Sequence, residues 1–343
     1  MATMKAAVFR GNGVFRIEDI PIPEIQTPTQ VKLKVKAANI CGSDLHALAV
    51  PPGQTYCWDI VLGHEFYGEI VEMGESVTGY AVGDMVTVHP AIGCGECSEC
   101  THGMADLCTN KAHYGQSLDG SFAEYVTVEA SQLYKVPKDI HPDRAAQTEP
   151  LSCIMYSLKK IQIAPDANVL LFGAGPIGLT YIRVLKYLGV KNLAVSAKGA
   201  ARIEEAKNCG ADLVIDVEKE SVKEAIEREW GRKADVIIDA VGSGQVLTDA
   251  MDLMGSRGQI LIFGYNLRAM ANVCPGLICG KEYTIVGAIG KDFEAALKIV
   301  DDPALGLDQL VTRRVTLDEM HEAIEDLKAK KACRIIVYPN GME

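Results

Sequence analysis

The chain has 343 residues, with 34 Lys and Arg against 45 Asp and Glu, for a net charge of -11. That surplus of negative charge repels phosphate backbones and anionic lipid, so neither nucleic acid nor a membrane is an expected partner. The start, MATMKAAVFRGN, has no apolar run of signal-peptide length, and no segment reaches the roughly 20 apolar residues of a membrane helix. A cytoplasmic protein is the expectation, and its length suits two domains, each with its own core.

The first 150 residues are rich in Gly, Pro and short alternating runs such as Val31-Lys32-Leu33-Lys34-Val35-Lys36, which predict half-buried antiparallel strands of an irregular β domain with no long helix. From about residue 168 the texture changes. Six apolar runs follow, VLLF, NLAVSA, DLVID, ADVIIDA, QILIFG and YTIVG. Helical stretches lie between most of them: Pro176 to Leu188, Ala201 to Cys209, Ser221 to Trp230 and Gly244 to Met254. Strands and helices in this alternation predict a six-stranded, parallel, doubly wound sheet. After Gly290 come amphipathic helices, Phe293 to Val300 and Leu317 to Lys328, and a last strand, Arg334 to Tyr338.

The first of the six strands runs into Gly173-Ala174-Gly175-Pro176-Ile177-Gly178, a GxGxxG that opens a helix. Gly173 permits the tight turn, Gly175 lets the backbone approach a pyrophosphate, and Gly178 lets helix and strand pack closely. The free N–H groups of the helix start then hold the anion. A nicotinamide dinucleotide is the cofactor this predicts. An NAD site places Asp or Glu about 20 residues further on, at the end of the second strand, to bind the adenosine ribose. Here Ala197 stands in that place, between Ser196 and Lys198, with Arg202 shortly after. Without a carboxylate to repel a 2′-phosphate, and with the Ser196 hydroxyl to bind it, NADP is the expected cofactor and NAD the alternative.

Eleven cysteines are spread along the chain, and four of them, Cys94, Cys97, Cys100 and Cys108, follow C-x2-C-x2-C-x7-C. Four thiolates in one short loop form a closed tetrahedral zinc site, which holds a lobe (about 93–109) together and does no chemistry. The rival reading is free structural thiols or a disulfide pair. A second set is dispersed: Cys41 in CGSDLH, His64 and Glu65 in GHE, and Glu149 in EPL. A thiolate, an imidazole and a carboxylate leave a fourth zinc position open for water or a substrate oxygen, as catalysis requires.

In these landmarks, CGSD, GHE, the four-Cys lobe, EP at Glu149-Pro150 and GAGPIG, the sequence resembles the zinc-containing medium-chain dehydrogenases over essentially its whole length. The resemblance implies a GroES-like β-rich catalytic domain of residues 1–151 and 290–343, with a Rossmann domain, 152–289, inserted in it. It implies two zinc ions per chain, oxidation of an alcohol by hydride transfer to the nicotinamide, and a homodimer or homotetramer joined through the edge of the Rossmann sheet. Glu149-Pro150-Leu151 is similar to the polyol and sugar-alcohol-phosphate branch, in which Glu supplies the third zinc ligand and a secondary alcohol becomes a ketone. Cys153 is then not a ligand, and Glu65 reaches the zinc as an alternate ligand or through water.

Within the same resemblance Ser43 first accepts the hydroxyl proton, which passes by way of the cofactor ribose to His46 and solvent, and Asp44 orients His64 through its other ring N–H. Relatives that oxidise sorbitol carry an aromatic residue after the position of His46 and a substrate-contacting Arg where Gly290 stands, whereas this chain has Ala47 and Gly290. A rebuilt pocket is expected, with Tyr56, Trp58 and Lys291 as candidate lining. Lys198 and Arg202 fall where NADP-using relatives carry basic residues. Competing readings are a primary-alcohol or threonine-type dehydrogenase, a zinc-free quinone reductase and a non-catalytic relative. The last two would lack some of the zinc-binding residues, all of which are present.

Overall fold

The computed structural model describes residues 2–52 and 56–342 and divides the chain into two compact units. The first consists of Met1–Ser152, Phe293–Asp302 and Leu307–Glu343, and the second of Cys153–Asp292 and Pro303–Gly306.

In the first unit the alternating run lies in the strand Gln30–Asn39, whose apolar residues Val31, Leu33 and Val35 are fully buried while the lysines between them reach the surface. Period-2 patterning has that effect on a pleated strand. This strand organises a seven-stranded sheet, pairing antiparallel with Glu65–Met73, Tyr125–Glu129 and Arg334–Val337. The last of these comes from the far end of the chain. The strand Glu65–Met73 begins at the residue after His64, so the sheet itself carries one of the candidate metal-binding segments. Thr148–Leu158 forms a helix of 11 residues that starts at the EP motif.

Two loops are brought together by glycine. Gly63, before His64, has φ +94°, and a Cβ on Gly120 would stand 2.0 Å from its carbonyl oxygen. A Cβ on Gly115 would stand 2.5 Å from the same oxygen. Backbone bonds from Gly120 N–H to the Val61 carbonyl (2.8 Å) and from Ser121 N–H to the Gly63 carbonyl (3.0 Å) complete the contact. The GHE turn is therefore seated on bare backbone.

The second unit is a six-stranded parallel sheet: β1 (Asn168–Phe172), β2 (Asn192–Ala197), β3 (Leu213–Asp216), β4 (Ala234–Asp239), β5 (Met254–Ile262) and β6 (Thr284–Gly287). The order is β3-β2-β1-β4-β5-β6, with every pair parallel. The helices α1 (Pro176–Tyr187), α2 (Ala200–Asn208), α3 (Val222–Trp230), α4 (Gly244–Leu253) and α5 (Pro275–Lys281) connect the strands. β1 is buried at every position, as a central strand covered on both faces must be. Among the described residues no helix is long and apolar enough to cross a membrane.

Two glycines of this unit give opposite expectations. At Gly178 a Cβ would stand 2.0 Å from the Gly173 carbonyl oxygen, whereas at Gly280, inside α5, it would meet nothing within 4 Å. Gly178→Ala is expected to lower stability by about 1–3 kcal/mol. Gly280→Ala should raise it by about 0.5 kcal/mol through helix propensity. Thermal unfolding of the two variants checks both signs.

Candidate functional site

Cys41 ends the loop before a short helix, Gly42–Ala47, and caps it in extended conformation. Asp44 lies inside that helix, fully buried, and its Oδ2 accepts the Cys41 N–H at 2.9 Å. The fold brings Cys41, His64 and Glu65 together: their ligand atoms lie within 4.8 Å of one another. The His64 ring turns its two nitrogens in different directions, Nδ1 to Asp44 Oδ1 at 3.8 Å and Nε2 to Glu65 Oε1 at 3.9 Å. Asn39 Nδ2 donates to the other oxygen of Glu65.

This arrangement is costly without a cation. Burial, together with the charges of Glu65 and Asp44, pushes the Cys41 thiol well above its ordinary pKa. Burial also raises the Asp44 carboxyl to about 6, against the opposing pull of His64. Ser43 Oγ, Asp44 Oδ1 and His64 Nδ1 are buried with no hydrogen-bond partner. A divalent cation reverses the local electrostatics, favouring the thiolate and making His64 Nδ1–H a better donor to Asp44. The donor set thus fits zinc.

Glu149 lies outside this cluster. It is buried in the first turn of the helix Thr148–Leu158, close enough for its charge to raise the Asp44 pKa. Ser43 lies beside both the Cys41 thiol and the Tyr56 phenol. His46, three residues on in the same short helix, is exposed. Cys153 is a partly buried free thiol.

The four-Cys lobe closes as its spacing implies: Cys94, Cys97, Cys100 and Cys108 have sulfurs within 4.8 Å of one another and none is in a disulfide. Cys94 Sγ and Cys100 Sγ are 4.0 Å apart, far beyond a covalent bond and suitable for sharing a metal. Backbone N–H groups of Glu96 and Cys97 lower the Cys94 pKa to about 7.

In the second unit Gly173 takes φ +100° and Gly175 caps α1, with Pro176 at its first position, where no N–H is needed. A Cβ on Gly175 would meet nothing within 4 Å, so the protein's own packing does not require glycine there. Space over a helix start is what a pyrophosphate would fill. Ile177 is partly buried. Ser196 and Ala197 end β2 and are buried. Lys198 is exposed, 3.3 Å from Glu218, and Arg202 is held by Glu205 at 2.8 Å.

Among the candidate lining residues, Tyr56 is buried and receives a bond from Gln116 Nε2 at 3.3 Å. Trp58 is 61% exposed, its indole lying over Gly11. Lys291 is partly buried in the second unit. Gly290 has a physical reason: a Cβ there would stand 2.6 Å from the Tyr156 ring. Sequence reasoning had not singled out Tyr156, Asn39 or His113, whose ring packs edge-on to His64 at 5.4 Å. They are distant in sequence, and no local pattern marks them.

Residues 27–138 match the alcohol dehydrogenase GroES-like domain and residues 176–302 match the zinc-binding dehydrogenase domain. A sorbitol dehydrogenase of Halalkalibacterium halodurans is 34% identical, over 98% of this chain and 99% of that protein. An L-threonine 3-dehydrogenase of Pyrococcus horikoshii is 33% identical over 95% of each. Among solved structures, a zinc-binding dehydrogenase of Sinorhizobium meliloti bound to NADP superposes with a TM-score of 0.93 at 29% identity, over 99% of this chain and 100% of that one. The chain belongs to the zinc-dependent medium-chain dehydrogenase/reductase family of the alcohol dehydrogenase superfamily. It is an oxidoreductase with a GroES-like and a Rossmann-type domain.

Removing one ligand from the four-Cys lobe is expected to destabilise it, because metal binding to a closed site is coupled to folding. Cys97→Ser should show a lower Tm by calorimetry, and a chelator should lower the wild-type Tm toward the same value.

Proposed function

We propose that the chain oxidises a secondary alcohol of the polyol, sugar-alcohol-phosphate or cyclitol class to a ketone, reversibly, with zinc and NADP. The Cys41–His64–Glu65 cluster carries this reading, its His64 and Glu65 buried and Cys41 partly so, with the unpartnered Ser43 hydroxyl beside it. Cys41, His64 and Glu149 hold the catalytic zinc, and Glu65, tied to Asn39 through one oxygen, serves as the alternate carboxylate. Cys94, Cys97, Cys100 and Cys108 hold the structural zinc. The sorbitol dehydrogenase relative supports the secondary-alcohol class.

When bound, the zinc acidifies the substrate hydroxyl and the nicotinamide takes up hydride. The chain's own residues handle the proton. Ser43 accepts it, being buried and placed next to the metal-binding Cys41. His46 discharges it, being exposed to solvent. Asp44 fixes the His64 ring, so that Nε2 is left for the metal.

NADP is favoured over NAD because β2 ends on Ala197, with no carboxylate to repel a 2′-phosphate, and Ser196, Lys198 and Arg202 stand around that end. A homodimer or homotetramer is proposed through β6, the edge strand of its sheet, where Ile285 is exposed. A threonine-type activity is the second reading, supported by the similarity to the L-threonine 3-dehydrogenase. A panel of polyols, vicinal diols and threonine, followed by nicotinamide absorbance, separates the two: turnover of threonine alone would overturn the first reading.

Ser43→Ala is expected to lower kcat by about 10²-fold or more with little change in cofactor affinity. His46→Ala should be milder and partly restored at higher pH, and steady-state pH profiles of both variants check this. For cofactor choice, Ala197→Asp should shift the ratio of kcat/KM values toward NAD. A wild type that uses NAD equally well or better would contradict the NADP assignment.

A further inference from the structure

A histidine ligand has to be held in orientation as well as in place, because its ring nitrogen must point at the metal. At His64, Asp44 Oδ1 faces Nδ1 at 3.8 Å, which leaves Nε2 for the metal but does not set the tilt of the ring plane. A second contact is needed for that, and His113 makes it. Its ring meets the His64 ring edge-on, with centroids 5.4 Å apart and planes at 67°. An edge-to-face pair at this spacing is attractive, and it resists rotation about the line from Nδ1 to Asp44.

His113 is itself built firmly into the first unit. It closes the short strand Ala112–His113, which pairs antiparallel with Ala91–Ile92. Its N–H donates to Ser117 Oγ at 2.9 Å, and its carbonyl accepts the N–H of Gln116, Ser117 and Leu118 at 3.1, 2.9 and 3.1 Å. Its ring Nδ1 carries a proton, because the partner 2.8 Å away is the Tyr114 carbonyl, which can only accept. The chain that follows reaches the backbone of the GHE turn as well: Gly115, Gly120 and Ser121 all pack on Gly63, the residue before His64. Both the backbone and the ring of His64 therefore take their position from one stretch, residues 113–121.

We propose that His113 is a positioning residue for the metal ligand His64, its ring setting the tilt of the His64 ring and so the strength with which the Cys41–His64–Glu65 cluster holds a divalent cation. The proposal rests on the zinc reading of that cluster. The test is competition for zinc between a chromophoric chelator and the zinc-loaded full chain, as wild type, His113→Leu, His113→Gln and His113→Phe. The ion that Cys41→Ala retains identifies the four-Cys lobe, and the other ion reports on His64. His113→Leu and His113→Gln remove the flat ring and are expected to weaken that second ion by about fivefold or more, with the lobe ion within about twofold of wild type. His113→Phe keeps a ring edge at the same place and should hold both ions within about twofold of wild type. His113→Gln decides the matter if His113→Leu fails to fold. An unchanged second ion in the variants without a ring would overturn the proposal, as would a His113→Phe chain as weak as they are. Equal losses at both ions would make His113 a general structural residue and overturn it too. A wild type that holds only the lobe ion, or none, would instead overturn the zinc reading itself.

Discussion

The site in the first unit depends on the electrostatic cost of crowding buried acidic groups. Cys41, His64 and Glu65 converge within 4.8 Å, with Asp44 behind them and Glu149 near enough to act on Asp44. Each added negative charge makes the others harder to ionise in a medium of low dielectric, and the raised Cys41 and Asp44 pKa values record that strain. One divalent cation relieves the whole set at once. The surrounding polypeptide serves this convergence: the central strand pairs with the strand that starts at Glu65, and Gly63, Gly115 and Gly120 seat the GHE turn backbone to backbone.

The second unit meets a different constraint, the approach of polypeptide to an anion. Gly173 and Gly178 are glycine for internal reasons, a left-handed turn and a 2.0 Å approach, whereas the space beside Gly175 is open. Open space at a helix start, where free N–H groups point outward, leaves room for a ligand's anion. Around β2 the basic residues are paired with acids, Lys198 with Glu218 and Arg202 with Glu205, contacts that the proposed 2′-phosphate would have to displace. The Lys198–Glu218 pair is exposed and weak enough to be exchanged.

Legibility in the sequence followed sequence distance. The six strands and the order of their helices could be read because each is a local run with its own period, and the four-Cys lobe because its ligands sit on one loop. The helix Thr148–Leu158 was hidden by the short Gly- and Pro-rich texture before it. The three-residue cluster was legible only in part. The dispersed residues could be named, but which carboxylate, Glu65 or Glu149, approaches Cys41 and His64 depends on how strand and helix meet, and no spacing encodes that. Asn39 and Tyr156 over Gly290 were invisible for the same reason. Their partners are set by tertiary contact, and glycines far apart in the chain, such as Gly63 and Gly120, have meaning only in pairs.

Zinc stoichiometry tests the central claim most directly, since both clusters are inferred from donor chemistry. Elemental analysis of the purified protein is predicted to give about two zinc ions per chain, falling to about one in Cys41→Ala with the fold intact. Retention of both ions by that variant, or one or none in the wild type, would contradict the account.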